Sequence, residues 1–485
     1  MADIGVPSRY NFVVPIGDET LVFNAFSGAL VSLGGSDGRT VGAALVGEAN
    51  MSVEDLPQGL AREFFEKGFV TLNDHAQFDE IRERFSNARR STPMVLTITT
   101  TLDCNLGCYY CYQDRSSDQL AASDVEQIVS DTRAKLIGSG RKRLHVDWYG
   151  GEPLSNSDFI EECSLALQAM CRDLHVHYQA SIISNGTLWP DDVGAFVERH
   201  AISQVQVSFD GMTSRHDKVR RFRPGKDRQA GLSSFGLATS LIDRLANFCR
   251  VDARFNLDRA NAADLLEFVR EARRRGWFEK PFPVVIQPAR VADYSERSGF
   301  LKSHKLSLVE FDQIRADLRS ASKAGSEFAI EESEAPDGYP YPKTSVCAAL
   351  VDDSSVLGAD GRVYRCGLQV SESHRAVGSF RPTDEFVASG PKRVIPIASQ
   401  TNVVEATQAS WWQSFDPCQQ PTCSVCSFLP ICMGGCPKKH LEGDRQSLDE
   451  QGAYWRQNLA RLLSNAARPG SSSDFQIPLV HQFRQ

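Results

Sequence analysis

The sequence lacks the features that mark membrane, secreted and nucleic-acid-binding proteins. No stretch approaches the run of about 18 apolar residues that a membrane-spanning helix needs. The N-terminal residues carry no basic segment followed by an apolar one, so we expect no secretory signal. The formal net charge of -8 provides no basic field that would attract nucleic acid. We therefore expect a cytoplasmic protein that binds neither membranes nor nucleic acid.

Internal repeats and long low-complexity tracts are also missing, so nothing indicates a repeat architecture. Hydrophobic residues make up 41% and charged residues 24% of the chain, as in ordinary globular proteins. A length of 485 residues allows about two to four domains.

Cysteine is the exception to this ordinary composition, because the chain has 13. In a reducing cytosol such thiols are metal ligands rather than disulfides. Three of them fall between 104 and 111, and seven between 347 and 436. Cys163, Cys171 and Cys249 lie in segments with helix or strand patterns, and we expect them to be packing residues.

Six short apolar runs alternate with helical segments between residues 94 and 290. Strands that alternate with helices predict βαβ units and a parallel sheet. Polar motifs follow nearly every run, at the strand end where α/β proteins place their active sites. The sequence therefore predicts an α/β fold whose main domain is a partial (β/α)6 TIM-like barrel. The predicted strands are 95–100, 144–149, 180–184, 204–209, 251–256 and 284–287.

The leading residues, 1–80, have a different pattern. Two strand-like segments flank an acidic turn at 17–19, and 59–68 is typical of an amphipathic helix that ends at a glycine. Residues 69–72 then return as a strand. Strand pairs and helices in so short a segment suggest a winged-helix-like module, and a generic structural cap fits the pattern equally well.

The first cysteine cluster has the spacing C-x3-C-x2-C, at Cys104, Cys108 and Cys111. Three closely spaced thiolates can hold a four-iron cluster and leave its fourth iron open, whereas structural zinc sites usually take four protein ligands. Three unrelated buried thiols are the alternative. The spacing, with the aromatic Tyr110 directly before the third cysteine, resembles the signature of the radical S-adenosylmethionine (radical SAM) enzymes. The resemblance implies that the cluster binds S-adenosylmethionine and that Tyr110 contacts this cofactor.

A glycine pair and a carboxylate, in the sequence Gly150-Gly151-Glu152-Pro153, follow the second predicted strand. In the radical SAM family a motif of this kind binds the amino group of S-adenosylmethionine. Glycines let the backbone approach a ligand closely, and a carboxylate suits an ammonium group. The resemblance implies this role for Gly150, Gly151 and Glu152, and a plain turn is the alternative.

Two later segments resemble further cofactor contacts of the family. Ser184 and Asn185 end the third predicted strand and resemble a segment that contacts the ribose, although the same residues suit a turn. The stretch 207–220 closely resembles the peptide-modifying branch, in which a serine and an arginine contact the cofactor. Because arginine pairs well with a planar carboxylate, the resemblance carries these two roles to Ser208 and Arg220.

The second cysteine cluster resembles the SPASM domain, an extension with auxiliary four-iron clusters in peptide-modifying radical SAM enzymes. The run from 423 to 436 has the spacing C-x2-C-x5-C-x3-C, and two cysteines precede it around Gly361. A zinc knuckle is the alternative, because C-x2-C is also a zinc half-site. The resemblance assigns Cys347, Cys366 and Cys436 to auxiliary cluster I, and Cys423, Cys426 and Cys432 to auxiliary cluster II.

The chain departs from the SPASM pattern in two ways. Tyr454 occupies the place of the family's last cysteine, and we expect Cys418 to be the fourth ligand of auxiliary cluster II. Gly367 follows Cys366 where sulfatase-maturing members have an aspartate that acts as a base, which counts against that activity. Auxiliary cluster I is expected to keep an open iron.

Together these resemblances imply an enzyme that modifies a ribosomally made precursor peptide with a leader sequence. The implied cofactors are S-adenosylmethionine and three [4Fe-4S] clusters, and the implied electron donor is of the flavodoxin or ferredoxin type. A 5′-deoxyadenosyl radical removes a hydrogen atom from the peptide, and a thioether, carbon–carbon or carbon–oxygen cross-link follows. The leader is expected to bind residues 1–80 as an added strand at a sheet edge.

Three alternatives stay open: epimerisation or dehydrogenation of a peptide, radical chemistry on a small molecule or folded protein, and a non-enzymatic electron carrier or zinc module. The sequence identifies no catalytic acid or base. The predicted domains are a leader-recognition module at 1–80, the barrel at 94–290, a helical bridge at 291–345, the SPASM domain at 346–450, and a C-terminal helix and tail at 451–485.

Overall fold

The computed structural model describes residues 5–47, 56, 58–73, 75–225, 231–291, 299, 301, 303–323, 339–381 and 408–467. The chain forms two compact units. The first contains Met1–Ser91, Glu332–Val346 and Phe415–Gln485, and the second contains Thr92–Glu331 and Cys347–Ser414. None of the helices in the described ranges is long and apolar enough to cross a membrane.

The first unit begins with five strands and three helices. The strands are β1 (Val6–Pro7), β2 (Asn11–Ile16), β3 (Glu19–Asn24), β4 (Leu30–Gly34) and β5 (Val70–Thr71). The helices are α1 (Gly35–Leu45), α2 (Gln58–Glu66) and α3 (Ala76–Ser91). Strands β2, β3 and β4 form an antiparallel sheet in that order, and β1 pairs with β5. The sequence did not predict β4 and α1, because α1 contains three glycines and glycine is a weak helix former.

The second unit is built on six parallel strands that pair in chain order. Each predicted strand overlaps one of them, so the parallel α/β sheet is confirmed. The strands are β6 (Met94–Thr99), β7 (Arg143–Tyr149), β8 (His177–Ser184), β9 (Ile202–Phe209), β10 (Arg250–Leu257) and β11 (Val285–Arg290).

Helices cover one face of this sheet, where Val146, Trp148 and Phe255 are fully buried with Phe268 and Trp277. The helices are α4 (Ala122–Ser139), α5 (Ser157–Asp173), α6 (Val193–Arg199), α7 (Thr213–Val219), α8 (Ser234–Leu245), α9 (Asp264–Arg274) and α10 (Leu308–Lys323). Because side chains alternate along a strand, the residues between the buried ones point to the opposite face. That face carries the polar side chains of Thr97, His145, Asp147, Gln179, Ser181, Gln204, Gln206, Ser208, Asp252, Arg254, Asn256 and Gln287.

A small antiparallel addition, which the sequence did not predict, extends the edge of the parallel sheet. It comprises β12 (Ser355–Leu357), β13 (Arg362–Tyr364) and β14 (Gly378–Ser379), and α11 (Gln408–Ser414) follows it. Strand β12 pairs with β6 in parallel. Arg381 donates two 2.9 Å hydrogen bonds to the carboxylate of Asp124 at the start of α4, which ties the addition to the helical layer.

Four helices close the first unit: α12 (Pro421–Ser424), α13 (Leu429–Cys432), α14 (Pro437–Glu442) and α15 (Arg445–Ala466). Of these, α13 and α15 contribute buried residues to a hydrophobic core with the N-terminal sheet, in which Leu463 of α15 and Phe23 of β3 are fully buried. Residues 1–91 and 415–467 therefore belong to one compact unit. The boundaries predicted from the sequence stay predictions, and the predicted tail after 467 lies outside the described residues.

Candidate functional site

The sequence motifs meet at one edge of the parallel sheet. The loop that carries Cys104, Cys108 and Cys111 follows β6, and the glycine pair follows β7. Ser184 ends β8, and Asp210 follows the end of β9. Because parallel strands end at the same edge, loops that are distant in sequence become neighbours in the fold.

The glycine pair packs directly against the cysteine loop. The Gly151 N–H donates to the Thr101 carbonyl at 2.9 Å, and the Glu152 N–H donates to the Asp103 carbonyl at 3.0 Å. A Cβ atom at Gly151 would lie 2.2 Å from the Asp103 oxygen, and one at Gly150 would lie 2.4 Å from the Thr101 oxygen. Neither position has room for a side chain, so the glycines allow the backbone after β7 to pack closely against the backbone of the cysteine loop.

The other side of the cysteine loop is held by residues 221–223. The Gly107 N–H donates to the Arg221 carbonyl at 2.7 Å, and the Arg223 N–H donates to the Asn105 carbonyl at 2.9 Å. The Arg223 guanidinium also contacts the Asp103 carboxylate at 2.7 Å. The loop is therefore fixed from both sides by backbone hydrogen bonds.

Hydrogen-bond donors point at the sulfur of Cys104. The Leu106 N–H lies 3.4 Å from its Sγ atom, and the Asn185 side-chain amide lies 3.7 Å away. Burial raises the pKa of the Cys104 thiol to about 12, and the nearby Glu152 adds to this rise. Burial likewise raises the pKa of the Cys108 thiol to about 11, and the nearby Arg220 opposes this rise. N–H donors to sulfur tune thiolate ligands of iron, so this environment fits an iron–sulfur cluster.

Among the described residues, no three His, Cys, Asp or Glu side chains are gathered tightly enough to hold a single metal ion. The thiols of Cys104, Cys108 and Cys111 remain the candidates for the three thiolates that a four-iron cluster with an open iron takes.

Glu152 is fully buried beside the cysteine loop. Its carboxylate accepts hydrogen bonds from the Ser184 hydroxyl at 2.9 Å and from the Asn185 N–H at 2.7 Å. Burial raises the pKa of this carboxyl to about 7, and the hydrogen bonds from Asn185 and Ser184 oppose that rise. Ser184 and Asn185 therefore position Glu152 and Cys104. The sequence predicted that these two residues contact the ribose and did not predict this positioning role.

A second buried charged group lies at the same edge. Arg220 forms an ion pair with Asp210 and donates to the Tyr110 hydroxyl at 2.8 Å, and this hydroxyl donates to Asp210 at 2.8 Å. Asn256 at the end of β10 contacts the same hydroxyl at 3.3 Å. The sequence identified Tyr110 and Arg220 but gave no role to Asp210, whose position directly after a predicted strand was the available signal. Ser208 lies on the polar face of β9.

The polar face of the sheet contains a hydrogen-bonded group that the sequence analysis missed. His145 lies 3.0 Å from Asp147 and 3.2 Å from the Ser181 hydroxyl, and Gln179 contacts its other ring nitrogen at 2.9 Å. About a fifth of His145 and a quarter of Asp147 are exposed, so the group is accessible from this side. The alternating His-x-Asp-x-Tyr pattern of β7 was the signal that could have revealed it.

The later cysteines divide between the two units. Cys418, Cys423, Cys426 and Cys432 lie in the first unit, where the thiols influence one another's ionisation and burial raises the pKa of Cys418 to about 12. Cys436 is also in this unit, whereas Cys347 and Cys366 are in the second unit. A side chain at the neighbouring Gly367 would begin 3.8 Å from the Tyr149 ring at the end of β7. The ligand sets of both auxiliary clusters stay predictions.

The chain is similar to known radical SAM proteins. Residues 98–286 match the model of the Radical SAM superfamily. The radical SAM cyclopropyl synthase TigE of Paramaledivibacter caminithermalis is 25% identical over 178 residues, which cover 32% of this chain and 36% of that protein. A serine-type anaerobic sulfatase-maturating enzyme of Klebsiella aerogenes is 23% identical over 346 residues, 69% of this chain and 77% of that protein.

A solved structure shares the fold. The chain superposes on anSMEcpe with bound AdoMet and Cp18Cys peptide with a TM-score of 0.50 and 17% identity. The match covers 77% of this chain and 99% of that chain. At this identity the likeness concerns the architecture alone.

We expect Gly151→Ala to displace the cysteine loop, because its Cβ would meet the Asp103 carbonyl at 2.2 Å. Anaerobically reconstituted variant protein should therefore lose about four irons per chain relative to the wild type. Gly138→Ala in α4 is the matched control, since no atom lies within 4 Å of its added methyl group. Equal iron content in all three proteins would contradict the expectation.

Proposed function

We propose that this chain, a member of the radical SAM superfamily through its domain at residues 98–286, modifies a ribosomally made peptide by radical chemistry. Bound S-adenosylmethionine and an iron–sulfur cluster supply the 5′-deoxyadenosyl radical that removes a hydrogen atom from the peptide. The observation that carries the proposal is the meeting of the cysteine loop, buried Glu152 and the Arg220 group at one sheet edge. The expected outcome is a thioether, carbon–carbon or carbon–oxygen cross-link.

Different residues at this edge of the sheet bind different groups of the cofactors. Cys104, Cys108 and Cys111 hold three irons of the cluster. Glu152 receives the ammonium group, since its carboxylate is buried and a cation nearby favours the ionised form. Arg220 uses Nε and Nη2 for Asp210 and Tyr110, which leaves Nη1 for the carboxylate of the cofactor.

A peptide substrate agrees with the relatives that the chain resembles. The relative from Klebsiella aerogenes is named a sulfatase-maturating enzyme, so its name gives a protein as the molecule that it modifies. The polar face of β6–β11 offers hydrogen-bonding groups to such a substrate. The later cysteines would hold two auxiliary clusters, which would supply electron-accepting groups for bond formation, and a flavodoxin or ferredoxin in the cytoplasm would be the electron donor.

The sheet β2-β3-β4 supplies an edge for the leader. The Asn24 N–H donates to the Ala29 carbonyl, and the Gly35 N–H donates to the Asp18 carbonyl. Because hydrogen-bonded pairs alternate along an antiparallel ladder, the N–H of Ser32 points away from β3, and no described residue pairs with it there. By the same alternation Pro15 occupies an outward position on β2, and proline has no N–H to offer. Strand β4 is therefore the edge that can accept an added strand.

We expect Ser32→Pro to weaken peptide binding at least about tenfold, because it removes an outward N–H donor without breaking the ladder to β3. Ser32→Ala is the matched control, since it removes only the side-chain bond to Glu19. Fluorescence anisotropy with labelled peptides from short reading frames beside the gene measures the effect. Equal affinity in both variants would locate the leader elsewhere.

We expect the affinity for S-adenosylmethionine to depend on Glu152. The raised pKa of about 7 means that the carboxylate ionises as the pH rises through about 7, so the affinity should rise up to that pH and then level off. Glu152→Gln should bind at least about tenfold more weakly and lose this pH dependence. Anaerobic calorimetric titration between pH 6 and 8 tests this, and an unchanged pH profile in the variant would refute the assigned role.

The decisive test of the proposed function is iron content and S-adenosylmethionine cleavage on anaerobically reconstituted protein. Three four-iron clusters give about 12 irons per chain, and a Cys104/Cys108/Cys111→Ala variant should fall to about 8. Only the wild type should form 5′-deoxyadenosine. Zinc in place of iron, or no 5′-deoxyadenosine under strong reductant, would favour a binding module instead.

A further inference from the structure

The segment 415–436, here called the cysteine segment, has little regular structure of its own. Its helical pieces are Pro417–Gln419, α12 and α13, of three or four residues each. Helices this short are unstable by themselves, because the cost of the first turn is not recovered. Small segments rich in metal-binding thiols gain much of their folding free energy from the metal. The cysteine segment carries five such thiols: Cys418, Cys423, Cys426 and Cys432, which are predicted to bind auxiliary cluster II, and Cys436 at its end.

This segment nevertheless forms part of a hydrophobic core. Cys418, Leu429 and Ile431 are at most 4% exposed and pack in one cluster with Tyr10 and Phe23. The cysteine segment therefore supplies part of the hydrophobic core on which the N-terminal sheet packs.

The sheet β2-β3-β4 has two apolar faces that depend on different partners. Val22 and Val31 face the core formed with α1 and α2. Phe12, Leu21 and Phe23 face the opposite core, which holds the cysteine segment and α15. The rings of Phe12 and Phe428 lie 4.6 Å apart. If the cysteine segment unfolds, this second face of the sheet loses part of its cover and exposes apolar surface to water, although α15 still packs against it.

Arg9 ties the start of the sheet to the loop between two of the cysteines. Its guanidinium donates to the Ser424 carbonyl at 2.9 Å, and Ser424 lies between Cys423 and Cys426. The same group donates to the Tyr10 hydroxyl at 2.7 Å and stacks on the Tyr10 and Phe78 rings at 4.9 and 4.8 Å. A change in the conformation of the residues between Cys423 and Cys426 would thus affect Arg9 and Tyr10, which precede β2.

We propose that metal loading of Cys418, Cys423, Cys426 and Cys432 controls the folding of the β2-β3-β4 sheet and thereby peptide recognition. This inference rests on the proposed function for the roles of the four cysteines and of the β4 edge. Iron bound to the cysteine segment holds Leu429, Ile431 and Phe428 against the sheet. Without iron the sheet loses part of the cover of one face, and its edge presents a less ordered ladder to a peptide.

Hydrogen exchange of the full chain tests the proposal without a peptide, with ferrous iron and sulfide as the probe. In the wild type, anaerobic reconstitution should slow amide exchange in residues 11–34 at least about tenfold. In a Cys423→Ala/Cys426→Ala variant it should not. The Cys104/Cys108/Cys111→Ala variant is the matched control, because it removes a cluster from the other unit and should keep the slow exchange at 11–34.

A second variant separates the coupling from a general failure to fold. Phe428→Ala keeps all four thiols, so it should bind the same iron as the wild type and still exchange faster at 11–34. Iron loading of the wild-type cysteine segment with unchanged exchange at 11–34 would overturn the inference. Failure of this segment to bind iron would overturn it together with auxiliary cluster II, whereas 5′-deoxyadenosine formation reports separately on the proposed radical chemistry.

Discussion

Two backbones can touch only where no Cβ atom stands between them, and the site depends on one such contact. Gly150 and Gly151 bring the end of β7 against residues 101–103, directly before the first cysteine. This contact aligns the cysteine loop with Glu152, and Glu152 in turn receives the donors that follow β8. A side chain at either glycine would separate the loop from the rest of the edge. The motif that resembled a cofactor-binding sequence is thus first a packing requirement.

The charged groups of the site are buried, and each has a partner that limits the cost of burial. Arg220 is neutralised by Asp210, and Glu152 accepts hydrogen bonds from neutral donors instead of from a cation. Because an unpaired carboxylate is costly in such surroundings, Glu152 holds its proton more strongly than an exposed glutamate does. An arriving ammonium group would replace that proton. The site is therefore prepared for a cation at Glu152, whereas Arg220 is already paired with Asp210 and has Nη1 left for a second anion.

The sequence predicted the parts of the structure that depend on local pattern. The six parallel strands followed from short apolar runs, and the meeting of Cys104, Glu152 and Arg220 at one edge followed from motifs at strand ends. Contacts between segments that are distant in sequence could not be predicted from local patterns. Nothing local links Arg9 to Ser424, or Phe12 to Phe428, so the union of both chain ends in one unit was not foreseen. Asp210 was overlooked because its role depends on Arg220, ten residues further on.

If both groups of cysteines bind iron as proposed, they differ in what remains of the structure when that iron is lost. The first loop is held by backbone hydrogen bonds to residues 151–152 and 221–223, none of which involves a thiol. Oxygen that destroys its cluster would leave a loop still in place, on which a cell can rebuild the cluster without refolding the protein. The cysteine segment between 415 and 436 has only short helical turns to preserve its shape. Oxidative loss of iron would therefore be reversible at the first cysteine loop, whereas at the cysteine segment it would also unfold part of the protein.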